Sequence, residues 1–164
     1  VHKAPENCRS VQNGLRKLDV WLGTGRWDVI HFNFGLHDSG TPREAYEARL
    51  REFVGRVRKT GATLVWASTT PRPREAAPGQ PPAAAVVERN AIAARLMEAE
   101  GIAVDDLYGT IEPHLAEFQK PQDVHFTPEG YAALGRAVAA SIERALPRGR
   151  AAAVETSPTP GAEP

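Results

Sequence analysis

Asp123 and His125 flank Val124 in the stretch Gln122-Asp123-Val124-His125-Phe126-Thr127-Pro128-Glu129-Gly130-Tyr131. A carboxylate this close to an imidazole can orient the ring and stabilise its protonated form, which is the pairing that general-base catalysis uses. The plainer alternative is a polar loop whose His bonds the backbone ahead of the last helix. A second polar pair, His37-Asp38, stands in Phe34-Gly35-Leu36-His37-Asp38-Ser39-Gly40. Its plain reading is a turn that satisfies backbone groups at the end of a strand. His37, Asp38, Asp123 and His125 are also metal-ligand types, so a His/Asp metal-dependent hydrolase is an alternative, although their spacing matches no dedicated metal motif. Ser10, Ser39 and Ser68 are the serines weighed as nucleophiles; none stands in Gly-x-Ser-x-Gly or Gly-Asp-Ser, and each reads as a turn or packing residue. His31 is read as structural, and His2 and His114 belong to no constellation.

The chain that must position these groups has 164 residues, enough for one domain with a core of its own. Twenty basic and twenty acidic side chains cancel, which gives no electrostatic case for a nucleic-acid partner. The single Cys, Cys8, excludes an intrachain disulfide framework and a Cys-based zinc site. No apolar run is long enough to span a membrane as a helix. The compartment stays open, because any signal peptide would lie ahead of Val1.

Trp27 to Phe34 alternates Ile30, Phe32 and Phe34 against Val29, His31 and Asn33, as a strand does. Thr41-Pro42-Arg43-Glu44 then carries a helix start, with Thr41 as cap, and Tyr46, Leu50, Phe53 and Val57 follow at helical spacing. Gly61 ends that helix, and the apolar run Ala62 to Ala67 predicts a buried parallel strand. A Pro-rich loop covers Thr69 to Pro82, followed by a helix from Ala83 to Glu100, a short strand from Ile102 to Val104 and a short helix from Leu107 to Phe118. The last helix is expected to start at Thr127-Pro128 and to turn Tyr131, Leu134, Val138 and Ile142 inward. Residues 1–146 form the domain, and 147–164 read as a disordered tail. Strand and helix alternate, which predicts an α/β fold with a mostly parallel sheet, whose ligands bind at the carboxyl ends of the strands.

The sequence Trp27-Asp28-Val29-Ile30-His31-Phe32-Asn33-Phe34-Gly35-Leu36-His37-Asp38, with His125 to Tyr131 near the other end, resembles the SGNH (GDSL-type) esterase and acylhydrolase family. The resemblance implies a flavodoxin-like three-layer α/β/α fold. His37 stands where the family usually has the Asn of a Gly-x-Asn-Asp block, and His125 matches the His of the last block. It implies His125 as the base, Asp123 as its acid, and an oxyanion hole built from His37 with the Cys8 backbone N–H.

Two departures qualify the resemblance. The family's acid lies three residues before the His, where this chain has Gln122; Asp123 is one place closer. The Gly-Asp-Ser block is absent, so the N-terminal strand and nucleophile turn of the family are expected to be missing and the chain alone to be inactive. The resemblance thus implies a serine esterase or carbohydrate deacetylase in a full-length parent. Its substrate is a small-molecule or carbohydrate ester, with no cofactor, since Ser–His chemistry needs none. A non-catalytic glycan- or partner-binding member of the family is the alternative.

Overall fold

In the computed structural model, which describes residues 1–73 and 83–147, Ser10 opens the first helix by accepting a hydrogen bond from the Asn13 N–H. Val11, Leu15, Leu18 and Leu22 then recur at helical spacing along α1 (Val11–Leu22). This helix is absent from the sequence-based expectation, although its cap and its periodicity both signal it.

β1 (Val29–Phe32), β2 (Thr63–Ala67) and β3 (Ala103–Asp105) form a three-stranded parallel sheet in that order. The register pairs Phe32 with Trp66 and Ala67 with Asp105. Parallel neighbours need crossovers, which α2 (Arg43–Arg58) and α3 (Ala83–Ala99) supply. One sheet face carries Ile30, Phe32, Leu64 and Trp66 into a core with Leu18, Tyr46, Leu50, Phe53, Leu96 and Met97. Phe53 sits at its centre, 5.4 Å from the Phe32 ring and 4.8 Å from the Phe34 ring.

The alternate strand positions face α6 (Pro128–Ala145), which touches all three strands. A smaller core of Ile111, Phe126 and Leu134 lies on that side. The result is the expected α/β class, a parallel sheet between helical layers. On the α6 side His31 Nε2 lies 2.8 Å from Asp105 Oδ2, so the pair spans β2 and joins the two outer strands. Both side chains are shielded, at 18% and 5% exposure. β1 pairs on one side only among the described residues, and Val29, Ile30 and His31 are half-buried.

Three local expectations are corrected. Thr41 does not cap α2; Pro42 is the capping position, with an extended ψ of 142°. Thr41 is already used by the preceding turn, where its N–H donates to the Asp38 carbonyl and its own carbonyl accepts from Arg89. The segment Leu107–Phe118 is not one helix but α4 (Leu107–Ile111), a 3₁₀ turn over Glu112–His114 and α5 (Leu115–Phe118). Pro113 explains the break, because it has no N–H to continue the α ladder. Tyr131 does not turn inward: it is 50% exposed and meets Phe126 edge-on, whereas Leu134 is buried and Val138 and Ile142 partly so. Most of the Pro-rich loop (74–82) and of the tail (148–164) lies outside the described residues.

Candidate active site

Because the strands are parallel, their carboxyl ends share one edge, and the loops there are where an α/β sheet places ligand-binding groups. His37 stands on the 3₁₀ turn Leu36–Asp38 just past β1. The Asp123–His125 loop is brought to the same edge by its base. Gln119 bridges Phe126 in antiparallel fashion, and Thr127 N–H donates to the Phe118 carbonyl at 2.7 Å. The Gln119 side-chain amide then donates to the Pro71 carbonyl at 2.8 Å, fastening the loop to the segment that leaves β2. Behind it, Thr127 caps α6 by accepting from Gly130 N–H, with Pro128 at the first helical position as the sequence predicts.

Within this loop Asp123 Oδ1 lies 2.7 Å from His125 Nδ1 and also accepts from the His125 backbone N–H at 3.2 Å. Gln122, three residues before His125, has φ +55°. That left-handed residue reverses the chain and turns Asp123 back onto the ring. The side-chain bond to His125, with the backbone bond second, holds the Asp123 carboxyl below the usual range. Both side chains are open to solvent, at 63% exposure for His125 and 43% for Asp123. With Nδ1 engaged by the carboxylate, Nε2 is the ring nitrogen available for proton transfer.

His37 is exposed. Asp38 beside it is fully buried, and both its oxygens lie within 3.2 Å of the Val11 N–H. It therefore places negative charge at the start of α1, a tertiary anchor more than a strand-end turn. Burial pushes the Asp38 carboxyl up, moderated by the Val11 N–H and the Arg89 charge. Cys8, half-buried, has its carbonyl held by the Asn13 side-chain amide at 3.2 Å. Burial, then the Glu6 charge, raises the thiol pKa, so the sulfur is no ready nucleophile. Among the described residues no hydrogen bond joins His37 or Cys8 to the Asp123–His125 pair. Nor does any group of three His, Cys, Asp or Glu side chains gather there as a metal would require, which leaves the metal alternative without a ligand cluster in this part of the chain.

The three serines have structural partners. Ser10 caps α1, and Ser39 donates to the Leu36 carbonyl at 2.8 Å. Ser68 donates to Asp106 at 2.9 Å and accepts from Tyr108 N–H. The residues that sequence reasoning missed are those that hold the loops. Asn33 donates to the Ala67 carbonyl and to Thr69 Oγ1, while Asn90 exchanges two bonds with the Thr69 backbone. Arg89 binds the turn that carries His37. Its signal was its place on the buried face of α3, three residues after Val86 and four before Ala93.

The fold and this edge define a parallel α/β protein with a His–carboxylate pair beside the carboxyl ends of its strands. The chain belongs to the GDSL-like Lipase/Acylhydrolase family, whose model matches residues 7–133. None of the curated proteins matches it. Among solved structures it is similar to a lipase/acylhydrolase from Enterococcus faecalis, with 20% identity and TM-score 0.71 over 84% of this chain and 72% of that one. It is also similar to a GDSL-like lipase from Bacteroides thetaiotaomicron, with 16% identity and TM-score 0.69 over 84% and 72% of the two chains. An acetylxylan esterase from Geobacillus stearothermophilus aligns at 15% identity and TM-score 0.68 over 81% and 67%. At these identities the structural likeness speaks for the fold.

Proposed function

We propose that this chain carries the base side of a serine ester hydrolase site that acts on a small-molecule or carbohydrate ester. The observation that carries the reading is the 2.7 Å contact between Asp123 and His125 at the sheet's carboxyl edge in a member of this family. His125 Nε2 takes the proton from an attacking serine hydroxyl and returns it to the leaving alcohol. Asp123 holds the tautomer and stabilises the imidazolium. His37, through a ring N–H, and the Cys8 backbone N–H donate to the oxyanion of the tetrahedral intermediate. The similarity to an acetylxylan esterase supports an acetylated carbohydrate as the first substrate to try.

A second reading, a non-catalytic family member that binds glycans, is favoured by one observation: Ser10, Ser39 and Ser68 spend their hydroxyls on other partners. One experiment separates the two. A parent protein that supplies the Gly-Asp-Ser serine is treated with a fluorophosphonate probe, the labelled residue is mapped by mass spectrometry, and hydrolysis of p-nitrophenyl acetate and acetylated xylo-oligosaccharide is followed in parallel. The esterase reading expects one labelled serine and turnover, both lost in His125→Ala. Oligosaccharide binding with neither labelling nor turnover would establish the binding reading instead.

A further inference from the structure

The geometry points to Arg89 as a positioning residue that sets both oxyanion-side groups, the turn of His37 and the backbone at Cys8. The inference rests on the esterase reading for what those groups do, but its contacts stand independently.

Arg89 is 4% exposed on α3. Its Nε donates to the Asp38 carbonyl at 3.0 Å, and its Nη2 donates to the carbonyls of Thr41 at 2.5 Å and Ser39 at 3.5 Å. The remaining nitrogen pairs with Glu88 at 2.8 Å. The guanidinium lies over the Tyr46 ring, 5.3 Å from its centroid, and the Tyr46 hydroxyl donates to the Phe34 carbonyl at 2.8 Å. Two stacked side chains thus hold carbonyls on both sides of His37. A rigid five-donor fork can do this; a point-charge ammonium cannot reach the same set.

The contacts continue beyond the turn. Asp38 offers its carbonyl to Arg89 and its carboxylate to the Val11 N–H. Val11 begins α1, and Asn13 in the first turn of that helix holds the Cys8 carbonyl at 3.2 Å. The path Arg89, Asp38, Val11, Asn13, Cys8 therefore joins α3 to both groups through side chain–backbone hydrogen bonds and the first turn of α1. A buried charge is a weak source of stability, since a well-packed apolar replacement is often neutral. Aiming the guanidinium at three carbonyls of one turn fits placement better than packing.

The test compares Arg89→Met and Arg89→Lys with the unaltered protein by amide NMR and hydrogen exchange, alongside melting curves. Folded Arg89→Met is expected to move the His37 and Cys8 amide resonances and to cut the exchange protection of the Val11 N–H by about tenfold, the loss of one charge-assisted hydrogen-bond network. The Asp123 and His125 resonances stay in place, and Arg89→Lys falls between. Unmoved His37 and Cys8 resonances with full Val11 protection in folded Arg89→Met would overturn the inference. If the Met variant does not fold, Arg89→Lys is read alone by the same two signals, and the same null result overturns it. Neither signal needs ester turnover, so a failed labelling experiment and a failed positioning role are read separately.

Discussion

His125 Nδ1 and Asp123 Oδ1 lie 2.7 Å apart although only Val124 separates the two residues in the chain. The same oxygen also accepts the His125 backbone N–H, so one carboxylate closes a local ring around its own loop. The pair is made within a single turn, while Gln119, Thr127 and Gly130 decide where that turn sits. Orientation of the imidazole and placement of the loop are therefore separable by mutation.

Asp123→Asn keeps an oxygen for the His125 N–H but removes the charge that stabilises an imidazolium. We expect a small fall in Tm at neutral pH and, in a parent that supplies the serine, a loss of ester turnover of about 10²-fold, the low end for general-base support because the half-exposed pair is screened. Steady-state kinetics alongside a melting curve checks both halves.

The two carboxyls titrate with opposite consequences. Asp123, held low by His125, contributes stability that is present above its unfolded pKa and lost as pH falls through its folded value. In His125→Ala its carboxyl carbon should titrate at a higher pH by NMR. Asp38, pushed up by burial, contributes most below its unfolded pKa and loses that contribution as pH rises through its folded value. Urea midpoints of the unaltered protein relative to Asp38→Asn should accordingly fall across that acidic window as pH rises; a flat difference would contradict the assignment.

Gln122 adopts φ +55°, a region that costs a non-glycine residue roughly 1–2 kcal/mol. Gln122→Gly is expected to raise stability by about 1 kcal/mol and Tm by about 2–4 °C while keeping the Asp123–His125 contact. Calorimetry reads the first and the Asp123 titration reads the second.

A Cβ at Gly130 would stand 2.8 Å from the Phe118 carbonyl oxygen and 3.1 Å from Phe126 Cβ. The first of these is backbone and cannot rotate away. Gly130→Ala should therefore lose about 1–3 kcal/mol and displace the loop from α6. Denaturant unfolding measures the loss, and a shifted His125 amide resonance would report the displacement.

The periodic elements were legible before any coordinates. Ile30, Phe32, Tyr46, Leu50, Phe53 and Val57 announce β1 and α2 by spacing, and all but the half-buried Ile30 lie buried. α1 escaped although Ser10 and the spacing Val11, Leu15, Leu18 and Leu22 signal it, because no strand precedes it to set the alternation of strand and helix. The pairing of Asp123 with His125 was legible from their closeness in the chain, but the backbone reversal at Gln122 belongs to no propensity. Arg89 and Asn33 were not legible as loop holders, because the loop groups they hold are mostly carbonyls, and carbonyls carry no sequence.

His31 and Asp105 belong to strands that never pair, yet their side chains meet across β2. Side chains alternate with period two, so a slip of one residue in β1 or β3 would send one partner to the opposite face, among Phe32 and Trp66. A misaligned sheet would then bury an imidazole or a carboxylate alone in an apolar layer. The pair works as a checksum on strand alignment. It penalises a one-residue slip along β1, the strand that pairs on one side only among the described residues.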